Sequence, residues 1–225
     1  MKTGNVIKWT LQKTLPKYIK YNFCSTFIPY SSQGEIFHRT MQYLNHHKMK
    51  GDYFEFGTAE GQSLVSAYHL ARHHDLFSMN FYTFDSFEGL PKLKGLDKNG
   101  SFKPGDYAYS YEDFINFITR AKVDLNKVTA VQGWYKDTLN ENTKKDLKSK
   151  KAALIFIDSD MYESAGLALN FMTDYIQNGT IIIFDDWFCN WGDPEMGERL
   201  AFRINILIFM RKYHWKGISF ILLKR

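Results

Sequence analysis

The sequence predicts an α/β fold: a parallel sheet with helices on both faces. Three observations carry this prediction. Short runs rich in Ile, Phe and Tyr alternate with stretches of about fifteen residues whose apolar side chains recur at helical spacing. The short runs are apolar almost throughout, as strands covered on both faces must be. Each of the first five runs ends on Gly or Asp, at the edge where sheets of this kind bind ligands.

Residues 1–34 read as a basic, aromatic-bearing arm, helical up to Leu15 before Pro16 interrupts it. Its Trp9, Leu11 and Leu15 either pack on the core or serve a lid or an anionic-surface contact. A domain over 35–225 follows. Apolar spacing predicts a helix over 36–47, a strand over 53–56 ending at Gly57, and a helix over 61–73 through Leu64, Ala67, Tyr68 and Ala71. A second strand, 81–84, runs into Asp85. Residues 89–111 hold Pro91, Gly95, Gly100, Pro104 and Gly105 without a period, and a loop that long inside a domain is usually functional. Then come a helix over 111–122, a strand over 128–132 before Gly133, and a strand over 152–157 before Asp158. A helix over 162–177 stops at Gly179, a strand over 180–184 meets Asp185 and Asp186, and a helix over 199–213 precedes a strand over 218–223.

Composition narrows the function classes. With 225 residues and 44% of them hydrophobic, the chain can bury a sizeable core, which excludes disorder as its main state. Its two cysteines, Cys24 and Cys189, exclude a disulfide scaffold or a cysteine-based zinc site and suit a reducing cytoplasm. No apolar run approaches the ~18 residues of a membrane span, and the N-terminus lacks the pattern of a secretory signal. The net charge of +5 is unevenly spread: residues 1–34 and 199–225 contain no acid, and the stretch between them carries 17 basic residues against 24 acids. The part that holds the strand-end motifs is therefore acidic, which disfavours a protein that grips phosphates along its face, and no nucleic-acid partner is expected.

The turn after the first strand reads Glu55-Phe56-Gly57-Thr58-Ala59-Glu60-Gly61-Gln62-Ser63. Gly57, Ala59 and Gly61 are small enough for a ligand to approach the backbone, and the helix beyond offers its N-terminus to an anion. Ala59 and Gln62 stand where a dinucleotide fingerprint needs glycine, and no Lys-Ser/Thr follows as in a P-loop. An acid at Glu55 suits a ligand with an ammonium group, such as S-adenosylmethionine; a tight structural turn is the alternative. Asp85, at the end of the second strand, can accept from both hydroxyls of a ribose or cap the next segment.

Three aspartates, Asp158, Asp185 and Asp186, end adjacent strands. Two carboxylates ~4 Å apart repel by about 4 kcal/mol at an effective dielectric of 20, so their pKa values rise or a cation sits among them. Oxygen donors without histidine or cysteine select a hard ion, Mg²⁺ first, with Mn²⁺ or Ca²⁺ as alternatives. Asp160, two residues past Asp158, is placed to act as a general base. His69, His73 and His74 read as a solvated helix face, because no Glu follows the first as in a zinc helix. Tyr107, Tyr109 and Tyr111 wall a pocket or pack a hairpin, and Trp134 lies along an adenine or in the core.

With these residues in place, the chain resembles the macrocin O-methyltransferase family, which includes macrolide and aminocoumarin sugar O-methyltransferases. The matching stretches are 51–63, 81–91, 133–139, 157–164 and 181–187, with D-x-D-x-Y-E-S and D-D-W the most specific. The resemblance implies a class I, Rossmann-like methyltransferase fold with a mostly parallel seven-stranded sheet and an antiparallel C-terminal strand. It further implies Mg²⁺-requiring methyl transfer from S-adenosylmethionine to a hydroxyl of a small molecule, a sugar or glycoconjugate, by a homodimer. Asp158, Asp185 and Asp186 match its metal ligands and Asp160 its base. Glu55, Gly57, Thr58, Ala59, Gly61, Ser63, Asp85, Ser86, Gly133, Trp134 and Asp158 fall in its cofactor motifs. Ser159 departs from the usual D-G-D, and the aromatic stretch Trp187-Phe188-Cys189-Asn190-Trp191 is expected to reshape the acceptor pocket. Other readings stay open: a nucleic-acid methyltransferase, a cofactor-binding scaffold without turnover, or an oxidoreductase.

Overall fold

A strand that is apolar on both faces needs a layer of helices on each side, and β4 (Ala152–Ile157) is buried along its whole length. It sits near the middle of a six-stranded sheet of order β3-β2-β1-β4-β5-β6. Its companions are β1 (Asp52–Phe56), β2 (Phe81–Asp85), β3 (Val128–Gln132), β5 (Ile181–Phe184) and β6 (Ser219–Leu222), and every pairing is parallel. The computed structural model describes residues 32–93, 95–99, 102–149, 151–213 and 219–222, so the expected arm up to residue 31 lies outside the described residues.

Side chains alternate across the sheet with the two-residue period of a strand. Tyr53, Phe81, Leu154 and Phe156 meet the apolar faces of α1 (Ser32–His46), α2 (Gln62–His73) and α3 (Tyr111–Arg120). Phe54, Phe56, Tyr82, Phe84, Ile155 and Ile157 meet α6 (Tyr162–Met172) and α7 (Gly197–Tyr213) on the other face. Phe56 and Phe84 stack across β1 and β2 with centroids 4.9 Å apart. Helix α3 starts where Ser110 caps it: the Asp113 amide donates to the Ser110 hydroxyl, which donates back to the Asp113 carboxylate.

Several elements differ from the sequence expectation. The seven-stranded sheet with an antiparallel last strand is corrected to six parallel strands among the described residues. Strand β6 pairs parallel to β5, which requires a crossover, and α7 provides one before the chain returns in the same direction. Helix α1 begins at Ser32, so the last residues assigned to the arm belong to the body. Helix α6 stops at Met172, short of 177, where the Thr173 hydroxyl donates to the Asn170 carbonyl and tight turns take over. Two short helices without apolar periodicity, α4 (Tyr135–Thr138) and α5 (Glu141–Asp146), went unforeseen.

Candidate active site

The chain leaves β1 for β2 and β3, then returns to β4 on the other side of β1, so the strand order reverses between β1 and β4. A cavity of about 700 Å³ opens there. Its wall takes Gly57, Thr58, Ala59 and Ser63 from the turn after β1, and Asp85 and Ser86 from the end of β2. Trp134 after β3 and Asp158 and Asp160 after β4 complete that side.

Backbone crossings hold this edge together. Asp158 donates its amide to the Phe56 carbonyl at 2.9 Å, and Gly57 donates to the Phe84 carbonyl at 3.0 Å. Gly57 sits at φ +87°, and a Cβ there would lie 1.8 Å from the Asp158 carbonyl oxygen. At Gly61, φ +98°, a Cβ would press on Phe114 and Ile118 of α3 at 3.0 Å. A Cβ at either glycine would therefore strike the protein itself, while the Gly57 backbone still lines the cavity. A Cβ at Gly133 would likewise meet the Thr138 methyl at 2.8 Å.

Asp85 does more than its position at a strand end suggested. One of its oxygens accepts from the Thr58 and Ala59 amides at 2.7 and 2.9 Å, and the other from the Phe87 amide at 2.8 Å. The carboxylate thereby shapes the glycine turn while it lines the cavity. Glu55 differs from its expected place. It is fully buried in β1, off the cavity wall, and accepts the Ser63 hydroxyl. Burial pushes it up to about 8, against the opposing pull of the Ser63, Tyr53 and Thr58 hydroxyls. An acid behind the wall orders Ser63 and cannot present itself to a ligand's ammonium group.

The three strand-end aspartates do converge. One carboxylate oxygen from each of Asp158, Asp185 and Asp186 lies within 4.8 Å of the others. Asp158 faces the cavity, whereas the buried Asp185 and Asp186 lie outside its wall. Gln33, which lines the cavity from the first turn of α1, donates to Asp185 Oδ1 at 2.9 Å. Cys189 donates to Asp186 Oδ1 at 3.1 Å, and burial together with that carboxylate pushes its thiol up to about 12. The other oxygen, Asp186 Oδ2, is buried without a hydrogen-bond partner among the described residues. Gathered carboxylates with a buried, unsatisfied oxygen fit a hard divalent cation.

Behind the trio stands Glu198, in the first turn of α7 and 1% exposed. Its two oxygens accept the Asp186 amide at 3.0 Å and the Ser159 amide at 3.4 Å, tying the ends of β5 and β4 to each other. Burial, with the charges of Asp186, Asp158 and Asp160 adding, holds it well above the usual carboxylate range. Asp160 is buried in the left-handed region at φ 59°, a strained state for a residue with a Cβ.

Sequence reasoning missed Glu198, Gln33 and Asp97. Asp97 accepts the Tyr162 and Glu163 amides at 2.9 and 3.3 Å, so the loop before α3 caps α6 from 65 residues away. Glu198 lies 12 residues past Asp186 at the start of a helix, and no local pattern marks it. Of the loop tyrosines, Tyr107 and Tyr109 line the cavity, whereas Tyr111 packs edge-on against Phe87. The aromatic stretch after Asp186 does not reach the cavity: Trp187 packs on Phe184 and Phe202, and Trp191 is 90% exposed. His69 meets the Ala121 carbonyl at 2.8 Å, while His73 and His74 gather with His38 of α1.

Comparison with known proteins bears on this geometry. The family described as Macrocin-O-methyltransferase (TylF) matches residues 32–196. A Streptomyces olivaceus protein named 8-demethyl-8-(2,3-dimethoxy-alpha-L-rhamnosyl)-tetracenomycin-C 4'-O-methyltransferase is 29% identical over 145 residues. That match covers 61% of this chain, and the chain spans about half (53%) of the length of this relative. Among solved structures, the calicheamicin methyltransferase CalS11 aligns with a TM-score of 0.64 and 20% identity, covering 88% of this chain and 80% of its own. The O-methyltransferase NovP aligns with a TM-score of 0.61 and 21% identity, covering 81% and 72%. These two likenesses establish the Rossmann-like methyltransferase fold.

Proposed function

The chain belongs to the macrocin-O-methyltransferase family, and from that premise we propose that it methylates a hydroxyl of a small molecule, a sugar or glycoconjugate, using S-adenosylmethionine and a divalent metal ion. One observation carries the reading. A single cavity runs from a polar, aromatic side formed by Thr58, Asp85, Ser86 and Trp134 to an acidic side at Asp158 and Asp160, with Asp185 and Asp186 beside it. The first side suits an adenosine moiety, and the second suits a metal ion and a hydroxyl that must lose a proton.

Asp158, Asp185 and Asp186 would hold the metal. When bound, Mg²⁺ supplies Lewis acidity that lowers the pKa of an acceptor hydroxyl, and S-adenosylmethionine supplies a methyl on a cationic sulfur. Asp160 accepts the proton of that hydroxyl, a contribution of ~10²–10⁴-fold for a well-placed base. Leu90, Tyr107 and Tyr109 also line the cavity, with both tyrosines partly open to solvent. Asp97 fixes this loop to the start of α6, the helix that follows Asp158 and Asp160.

The relative's name, a 4'-O-methyltransferase of a rhamnosyl compound, sets the first acceptors to try. The test measures S-adenosylhomocysteine formation with nucleotide-linked and glycosidic 6-deoxyhexoses, other glycans and catechols, each with Mg²⁺ and with EDTA. Mg²⁺-dependent turnover confined to sugar acceptors is the expected result. Turnover on catechols alone overturns the acceptor class.

A further inference from the structure

We propose that His38, His73 and His74 form a binding site for a borderline divalent transition-metal ion, Zn²⁺ first, at the seam between α1 and α2. The site is separate from the strand-end aspartates and uses a different donor chemistry. One ring nitrogen from each of the three histidines lies within 4.8 Å of the others. Nε2 of His74 and Nδ1 of His38 are 3.2 Å apart. Two nitrogens bound at ~2.0–2.1 Å to a tetrahedral ion stand about 3.3 Å apart, so this pair already spans one edge of a zinc tetrahedron. His73 closes the face, its ring centroid 4.8 Å from that of His74 and 5.8 Å from that of His38.

The rings are held by rigid elements. Phe37, Met41 and Leu44 of α1 pack in one core cluster with Leu64, Leu70 and Ala71 of α2, which fixes the two backbones at the seam. Nε2 of His74 and Nδ1 of His38 share one hydrogen bond; ligation through these two atoms would put their protons on the opposite ring nitrogens.

Three imidazoles select Zn²⁺, Ni²⁺ or Cu²⁺ over Mg²⁺, which takes oxygen donors, and leave a fourth position to water. An ion there ties α1 to the end of α2. His38 lies five residues, about 7.5 Å, along α1 from Gln33, the residue that donates to Asp185. The clip would therefore steady the helix that reaches the acidic trio.

The experiment uses the full-length, untagged protein stripped of metal. Zn²⁺ affinity is read by competition with a chromophoric chelator, and coordination by the visible absorption of bound Co²⁺. The expected result is one tight equivalent of Zn²⁺ with a tetrahedral Co²⁺ spectrum, weakened at least about tenfold in His38→Ala and in His74→Ala. Asp185→Asn keeps that affinity, and millimolar Mg²⁺ does not compete. Zn²⁺ raises the Tm of the wild type and leaves that of His38→Ala unchanged, while the metal-free Tm values of the two agree. Equal affinity in wild type and His38→Ala, or loss of the ion only in Asp185→Asn, overturns the site.

Discussion

Replacing Gly57 by alanine separates two accounts of the turn after β1. If the glycine exists so that a ligand can approach the backbone, Gly57→Ala weakens cofactor binding and leaves folding alone. The structure assigns the space to the β4 chain. The new Cβ would sit 1.8 Å from the Asp158 carbonyl oxygen and 2.8 Å from its carbonyl carbon, both backbone atoms that no side-chain rotation relieves. Ordinary contact needs about 3.4 Å or more, so β1 and β4 must part by over an ångström at their ends. The left-handed φ of +87° adds roughly 1–2 kcal/mol for a residue with a Cβ. Overpacking adds roughly 1–3 kcal/mol, for a total of about 2–5 kcal/mol. Displacing Asp158 by an ångström also pulls one corner off the acidic trio, and misplacement on that scale costs on the order of 10² in rate. Urea unfolding followed by fluorescence, with calorimetric titration of Mn²⁺ and of S-adenosylhomocysteine, reads the three quantities. A large fall in the unfolding midpoint with weakened Mn²⁺ binding is expected. An unchanged midpoint with only the nucleoside ligand weakened would refute the crossing-chain account.

Other outcomes follow from named contacts. Glu198→Gln puts an amide NH₂ against one of two buried backbone amides, so Mn²⁺ binding should weaken about 10–100-fold by calorimetry, while S-adenosylhomocysteine binding stays within a factor of about two. Asp160→Asn should lower kcat by ~10²–10⁴-fold with Mn²⁺ affinity little changed; a variant of normal turnover removes Asp160 as the base. Asp85→Ala strands the Thr58 and Ala59 amides and should weaken S-adenosylhomocysteine binding at least about tenfold. Glu55, raised to about 8 in the fold from 4.5, holds its proton in the folded chain and loses it in the unfolded one. Its stabilising contribution is complete below about pH 4.5 and is lost as pH rises towards about 8. Urea midpoints should accordingly fall with pH across that window in the wild type and fall less in Glu55→Gln; equal slopes would count against the shift.

Much of this was legible from local pattern. Apolar runs such as 152–157, closed by Asp158, gave away both a buried parallel strand and the edge where chemistry gathers, because burial on two faces leaves a compositional mark. The convergence of Asp158, Asp185 and Asp186 followed from placing adjacent strands in register. Residues that act across the fold left no such mark. Glu198 reaches the trio from a helix start, Gln33 from a helix assigned in part to the arm, and Asp97 from a loop without a period. Glu55 had the expected neighbours but a different task, and Gly57, on the cavity wall as expected, also makes room for the chain after β4. Which of ligand or protein fills the space beside a glycine depends on how two strands cross, and one strand's sequence does not contain that. His69 and His73 share a helical spacing, yet the histidine cluster is completed by His38 from a different helix.

The proposed function requires Asp158, Asp185 and Asp186 to hold a divalent ion together. Electron paramagnetic resonance of Mn²⁺ tests it directly, since the sharp signal of the free ion is lost on binding. One bound Mn²⁺ per chain is expected in the wild type and in His38→Ala, displaced by Mg²⁺, and none in Asp185→Ala at the same concentration. Equal Mn²⁺ binding by wild type and Asp185→Ala, or no binding by either, would contradict it.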